Sequence, residues 1–177
     1  MTLGQQRGFT LVELLVVVAI VGIVAAIATP ELVRARISGN EASAIASLRA
    51  IHSGQATYAS SCAKGGYAQS LADLARPATG SNAGFVSPDI ASNGVLKSGY
   101  FLNLGPGTNV GVVTDSPSVC NAPTDDALAS YFAEAHPARV GSTGQRSFGV
   151  DQRGTIFQEF SGATLTSTLP ASATPVQ

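Results

Sequence analysis

The chain has 177 residues, of which 12% are charged and 45% are hydrophobic, and its formal net charge is −1. This length fits one domain with a modest core, and the balanced charge excludes a nucleic-acid-binding protein that works through bulk positive charge. Few charges combined with many apolar residues also exclude a disordered chain. The next inference therefore depends on where along the chain the apolar residues lie.

The first element in chain order is an apolar run over residues 9–29, FTLVELLVVVAIVGIVAAIAT. Glu13 is the one charged residue within it. At a rise of about 1.5 Å per residue, a helix of this length spans roughly 30 Å, which is the thickness of the hydrocarbon core of a bilayer. We therefore predict a transmembrane helix half over residues 9–29, preceded by a polar leader over residues 1–8.

This apolar run allows three interpretations, of which the first two give Glu13 no role. One is a plain membrane anchor, and another is a secretory signal peptide cut after the A-x-A sequence at residues 26–28. The run is longer than the roughly 7–15 apolar residues usual for a signal peptide. An ionised Asp in mid-membrane costs about 2.5–3.5 kcal/mol, and we expect a similar cost for Glu13.

The third interpretation rests on the sequence around Glu13. Residues 8–13, GFTLVE, follow a basic residue and begin a long apolar run, and they resemble the cleavage and methylation motif of type IV prepilins and type II secretion pseudopilins. The resemblance implies that a membrane peptidase cuts after Gly8 and methylates the new amine of Phe9. It also implies that Glu13 pairs with the Phe9 amine of a neighbouring subunit; the alternatives are its own amine or the headgroup region.

The helical pattern continues through residues 30–60, where we predict an amphipathic helix half. Charged residues such as Glu41 lie mostly off its apolar face. Pro30 lacks an amide hydrogen, which predicts a kink there, and Gly22 is predicted as a second kink position in the same helix. The resemblance implies that the segment from Gly22 to Pro30 unwinds when subunits pack into a filament. Five apolar residues define the apolar face by their helical spacing: Ile37, Ile45, Leu48, Ile51 and Tyr58.

Residues 61–160 are predicted to form a globular, β-rich head. Cys62 and Cys120 are the only two cysteines, and in an exported segment they predict one disulfide. The sequence from Ser70 to Asp73 resembles a capping box and predicts a short helix that ends before Pro77. Five strand-like segments follow: Val95–Leu104, Val110–Thr114, Ser130–Ala133, Arg146–Val150 and Thr155–Phe160.

These segments predict an α+β fold, in which the long helix packs against a small antiparallel sheet of three to five strands. We expect a turn at residues 105–107 and a hairpin turn at residues 151–154, DQRG. Residues 161–177 carry no charge and are mostly Ser, Thr, Ala and Pro. This composition predicts a flexible tail.

The sequence contains no catalytic motif that we recognise, such as G-x-S-x-G, a P-loop or G-x-G-x-x-G. His52 and His136 lack metal-ligand spacing. Asp125 and Asp126, with Asp115 before them, lack the D-x-D-x-D-G order of a calcium loop. We therefore expect neither an enzyme nor a cofactor, a metal site or a nucleic-acid partner.

The resemblance implies a structural subunit of a type IV pilus or pilus-like filament. Such a subunit begins as a single-pass precursor in the inner membrane and ends in a periplasmic or cell-surface filament. Its partners are then copies of itself, the prepilin peptidase, the inner-membrane assembly machinery and, before assembly, the membrane. Two alternatives stay open: a pseudopilin of a type II secretion system, and a secreted or membrane-anchored binding protein that uses residues 9–28 only as a signal or anchor.

Overall fold

The computed structural model describes residues 8–176. Residues 1–7, all but the last residue of the predicted leader, lie outside the described residues. The fold is α+β, with one long N-terminal helix and a six-stranded antiparallel sheet, as the sequence predicts. The chain divides into a first unit that ends at Arg36 and a second unit that begins at Ile37.

Helix α1, Leu11–Ser61, carries the predicted apolar and amphipathic halves. Pro30 lies inside the helix, and the kink proposed for it remains a prediction. The buried residues of α1 all lie in its second half, and most are spaced by three or four positions, so that they form one buried face. They are Glu41, Ala44, Ser47, Leu48, Ile51, Gly54, Gln55, Tyr58 and Ala59.

The main sheet has the strand order β1-β2-β5-β6-β7-β8, and each neighbouring pair is antiparallel. Strands β3 and β4 form a separate two-stranded sheet. A short helix, α2, covers Leu71–Ala75. The strands are β1 Val95–Lys97, β2 Tyr100–Pro106, β3 Val112–Thr114, β4 Ala127–Leu128, β5 Tyr131–Pro137, β6 Ser147–Asp151, β7 Ile156–Glu159 and β8 Thr174–Pro175.

The core of the second unit joins the buried face of α1 to one face of the sheet. Leu48, Ile51 and Tyr58 from the helix are completely buried in one cluster with residues of β2, β5 and β6. The strand residues alternate, as expected for a sheet with one face in the core. They are Tyr100, Leu102 and Leu104 from β2, Tyr131, Ala133 and Ala135 from β5, and Phe148 and Val150 from β6.

The structure corrects the predicted strands at one place. The segment Val95–Leu104 is not one strand but a hairpin, because Ser98 and Gly99 both have positive φ angles, 47° and 74°, as a two-residue turn between antiparallel strands requires. The turn expected at residues 105–107 is also wrong, since β2 continues to Pro106, which is paired with Tyr131. The main sheet therefore has six strands rather than three to five.

In the tail, for which the sequence predicts flexibility, two apolar residues and one short strand contact the rest of the second unit. Leu165 is only 6% exposed, and Val176 packs against the core cluster. Strand β8 extends the sheet next to β7, and the Val176 amide donates to the carbonyl of Ile156 at 2.8 Å. Because the segment is mostly polar, its sequence does not show that Leu165 and Val176 are packed.

Two local predictions are confirmed. The hydroxyl of Ser70 accepts a hydrogen bond from the Asp73 amide at 3.1 Å and donates to its carboxylate at 3.0 Å, which caps α2. The hairpin between β6 and β7 turns at Gly154, whose φ of 78° favours glycine. Both features follow from residues that are close in sequence.

Candidate functional site

The candidate site begins where α1 begins. Residues 8–10 precede the helix and are exposed, and Thr10 occupies the N-cap position before Leu11. The Glu13 amide donates to the Thr10 hydroxyl oxygen at 3.2 Å, and that hydroxyl lies 3.5 Å from a carboxylate oxygen of Glu13. The Leu14 amide donates to the Thr10 carbonyl at 3.2 Å. The hydroxyl of Thr10 thus satisfies one of the four amides that a helix start leaves free, and its carbonyl accepts the first hydrogen bond within the helix.

Helix α1 between Leu11 and Val33 presents apolar side chains to its surroundings on every side. Among the described residues, α1 is the one helix long and apolar enough to cross a membrane. Its large apolar side chains in this part are between 41% and 78% exposed, although water would favour their burial. They are Leu11, Val12, Leu14, Leu15, Val16, Val17, Val18, Ile20, Val21, Ile23, Val24, Ile27, Leu32 and Val33.

Glu13 is the one acidic residue in the first half of this apolar part. Among residues 8–176 it makes no ion pair, and its hydrogen-bond partner is Thr10. The next acidic residue, Glu31, pairs with Arg34 at 3.4 Å on the exposed helix surface. A carboxylate in apolar surroundings is costly unless a cation or several donors compensate it. Glu13 therefore needs a partner that this part of the chain does not supply.

Gly22 and Pro30 lie further along the same helix. A Cβ atom at Gly22 would meet no atom within 4 Å, so nothing in the described chain requires a glycine there. Beside Pro30, the Thr29 hydroxyl donates to the carbonyl of Ala25 at 2.7 Å. Both predicted flexible points lie inside a continuous helix, and their roles in packing between subunits remain proposals.

Comparison with known proteins addresses this N-terminal segment. A family model described as the prokaryotic N-terminal methylation motif matches residues 3–29. The chain is also 41% identical to the type IV major pilin protein PilA of Myxococcus xanthus over 54 residues, which are 30% of this chain and 24% of that protein. The N-terminal segment of this chain is therefore similar to that of the type IV pilin family. No solved structure matches the chain.

The residues of the methylation motif are neighbours in the chain, so the motif could be found from sequence alone. Gly8, Phe9 and Glu13 lie within the matched residues, and all three are close together in the chain. That family consists of structural subunits rather than enzymes. Each of the two matches covers less than a third of the chain, so the head is described by its own contacts.

A disulfide between Cys62 and Cys120 is present in the head, as the sequence predicts. Their Cα atoms lie 4.9 Å apart, and 58 positions separate them in the chain. The bond joins the residue that follows α1 to the loop before β4, where the Cys120 amide also donates to the Cys62 carbonyl at 3.4 Å. In the chain-entropy model, closing a loop of this size stabilises the fold by about 4 kcal/mol.

An ion pair that the sequence analysis misses holds the second half of α1 in the head. Glu41 is 5% exposed, and its carboxylate accepts bonds from Arg146 Nε at 2.9 Å and from the backbone amide of Gln145 at 3.0 Å. Burial alone raises the pKa of Glu41, but the bonds from Arg146 and Gln145 outweigh it, so this pKa lies below its ordinary value. The sequence analysis places Glu41 off the apolar face of the helix, but in the structure Glu41 is buried and anchors α1 to the segment before β6.

Three of the other titratable residues singled out by sequence have structural partners. His52 Nδ1 lies 2.7 Å from the hydroxyl of Tyr131, whose pKa is raised by burial. His136 lies in β5, and its Nδ1 lies 3.1 Å from the carboxylate of Glu134. Asp126 accepts a hydrogen bond from the Ser116 amide at 2.7 Å.

Proposed function

We propose that this protein is a structural subunit of a type IV pilus, cut after Gly8, methylated on Phe9 and assembled through its N-terminal helix. The observation that carries the proposal is the apolar half of α1, which is exposed on every side and carries one carboxylate near its start. Such a surface is stable in lipid before assembly and against identical helices after it. The methylation motif matched at residues 3–29 supports this processing.

Glu13 is the residue that this proposal places between subunits. Cleavage after Gly8 creates a positive amine on Phe9, and the carboxylate of Glu13 makes no ion pair among the described residues. At about 4 Å and an effective dielectric constant of about 20, one such pair gains roughly 4 kcal/mol of attraction. A pair between neighbouring subunits would neutralise both buried charges and set the axial register of the filament.

The relative favours a pilus over a secretion system. The similar protein of Myxococcus xanthus is a type IV major pilin, and we extend that role to this chain as a proposal. The precursor would then be a single-pass inner-membrane protein, recognised by the prepilin peptidase and by the pilus assembly machinery. The mature chain would form a homopolymer that extends from the periplasm to the cell surface.

Mass spectrometry of the mature N-terminus tests the processing step. The chain is purified from cells that express a prepilin peptidase, and the expected N-terminal peptide begins with N-methyl-Phe9. A matched culture without the peptidase should give the uncut leader. A mature chain that begins at Thr29 would show a signal peptide instead, and an uncut N-terminus in the presence of the peptidase would show a plain anchor.

A further inference from the structure

Three charged residues lie at the end of the apolar part of α1. Glu31, Arg34 and Arg36 fall within six positions of the chain, and all three are exposed. Arg34 Nη1 lies 3.4 Å from a carboxylate oxygen of Glu31, and the two side chains are 78% and 70% exposed. Arg36 makes no ion pair among residues 8–176. Two guanidinium groups and one carboxylate give this segment a net charge of +1.

The length of the helix determines where these charges lie relative to a membrane. From Glu13 to Arg36 the helix advances by 23 positions, which is about 35 Å at a rise of about 1.5 Å per residue. The hydrocarbon core of a bilayer is about 30 Å thick, and the headgroup layers bring the total to about 40–45 Å. With Glu13 at one boundary of the hydrocarbon core, Arg36 therefore lies about 5 Å beyond the opposite boundary, among the headgroups.

From this position and this charge we infer that Arg34 and Arg36 bind the phosphate groups of anionic lipids on the membrane face opposite the N-terminus. A guanidinium group is planar and donates two parallel hydrogen bonds to a phosphate. An Arg side chain near a helix end also reaches the headgroups while its methylene groups stay in apolar surroundings. The net positive charge favours an anionic lipid over a zwitterionic one. The inference rests on the proposed function, because it concerns the single-pass precursor.

This contact would hold the unassembled subunit at a fixed depth. Glu13 then stays at the other boundary of the hydrocarbon core, where an ionised carboxylate costs less than in mid-membrane. A slide of the helix by one turn, about 5.4 Å, would move Arg34 past its boundary in one direction and Glu13 past the opposite boundary in the other. The two ends of the apolar part therefore resist a shift in either direction.

The sequence contains no tryptophan, so a single fluorescent reporter can be placed beside the charges. Val33 lies three positions before Arg36 and is 41% exposed, and Val33→Trp introduces the reporter. The full chain is inserted into phosphatidylcholine vesicles at about 0.1 M salt. Quenching by phosphatidylglycerol with brominated acyl chains is compared with quenching by phosphatidylcholine brominated in the same way. We expect about a fivefold preference for phosphatidylglycerol, the factor that one net positive charge provides.

The preference should follow the net charge of the segment. In the Val33→Trp background, Arg34→Gln and Arg36→Gln each bring this charge to zero, and each should lower the preference to about one. The double variant carries a net charge of −1 and should exclude phosphatidylglycerol, whereas Arg36→Lys keeps the charge and should keep most of the preference. Arg49→Gln is the matched control, because Arg49 is also exposed but belongs to the second unit. It should leave the preference unchanged.

The outcomes separate this inference from the proposed function. Equal quenching by the two brominated lipids in the Val33→Trp chain, or a preference that persists in both Arg34→Gln and Arg36→Gln, would overturn the lipid contact and leave the proposed function intact. Loss of the preference in Arg49→Gln would also overturn it, because the attraction would then come from the head. A reporter that neither lipid quenches would overturn both the lipid contact and the single-pass precursor.

Discussion

Glu41 of α1 and Arg146, the residue before β6, form a two-pronged ion pair across 105 positions of the chain. Both Nε and Nη2 of Arg146 donate to one carboxylate oxygen, at 2.9 and 2.5 Å. The backbone amides of Gln145 and Arg146 donate to the other oxygen. Every acceptor of this carboxylate is therefore engaged by one short segment, and the pair fixes the second half of α1 to the start of β6.

The first prediction concerns the removal of this carboxylate charge. We expect Glu41→Gln to lower the free energy of unfolding by about 2–3 kcal/mol, because Arg146 is left without its charged partner in a largely buried site. The measurement is urea unfolding of the full chain in detergent. Glu31→Gln removes the exposed pair with Arg34 and should cost under about 1 kcal/mol. Equal losses for the two variants would contradict the anchoring role.

The second prediction is a pH dependence with a definite sign. The pKa of Glu41 in the folded chain lies below its ordinary value of 4.5. The ion pair therefore contributes its full stability above about pH 4.5, and this contribution is lost as the pH falls through the lower, folded pKa. The difference in unfolding free energy between the wild type and Glu41→Gln should shrink below pH 4.5. A difference that grows on acidification would have the wrong sign.

The third prediction concerns the disulfide. Replacing Cys62 and Cys120 by Ser should lower the free energy of unfolding by about 2–4 kcal/mol, because the unfolded chain regains the freedom of a 58-position loop. The same unfolding assay provides the control, since dithiothreitol should destabilise the wild type to the same extent and leave the double variant unchanged. A wild type whose stability does not respond to complete reduction would refute this contribution.

The fourth prediction tests the packing of the tail. Leu165 is 6% exposed, and its Cδ1 lies 3.4 Å from the position that a Cβ on Gly149 would occupy. Leu165→Ala should lower the free energy of unfolding by about 2 kcal/mol and speed proteolysis between residues 161 and 172. Val110→Ala is the control, because Val110 is 62% exposed and its truncation should change stability by under about 0.5 kcal/mol. Unchanged stability in Leu165→Ala would contradict the packing of Leu165 and support the flexible tail that the sequence predicts.

Features of the fold that depend on neighbouring residues could be predicted from the sequence. The cap at Ser70 needs only Asp73, three positions away, and the hairpin at residues 151–154 needs one four-residue turn. The candidate site is local in the same way, since the distinctive residues Gly8, Phe9 and Glu13 lie within six positions. Such features can be predicted from a single sequence because the residues that form them are only a few positions apart.

What the sequence did not reveal depends on residues that are distant in the chain. The partner of Glu41 lies 105 positions away, and a lone charge on a helix is more often solvated than paired in this way. The turn at Ser98 and Gly99 is the exception, because it is local, but these two residues lie between apolar segments and the whole stretch is predicted as one strand. Leu165 is a single apolar residue in a polar segment, and only the finished sheet provides the site that buries it.

The fifth prediction concerns Glu13 and assembly. Glu13→Gln keeps the shape of the side chain and removes its charge, so the Phe9 amine of a neighbouring subunit loses its counterion in an apolar filament core. The variant should still be cut after Gly8 but should fail to enter filaments. Glu31→Gln, in the same helix and outside the proposed contact, should assemble normally.

The central claim is that this protein is a filament subunit whose assembly depends on the charge of Glu13. It is tested most directly by the fraction of mature chain recovered in filaments sheared from cells, compared between the wild type, Glu13→Gln and Glu31→Gln. The account predicts filaments for the wild type and Glu31→Gln, and mature chain confined to the membrane for Glu13→Gln. Filaments from Glu13→Gln at the wild-type level, or a wild type that is processed but never enters a filament, would contradict it.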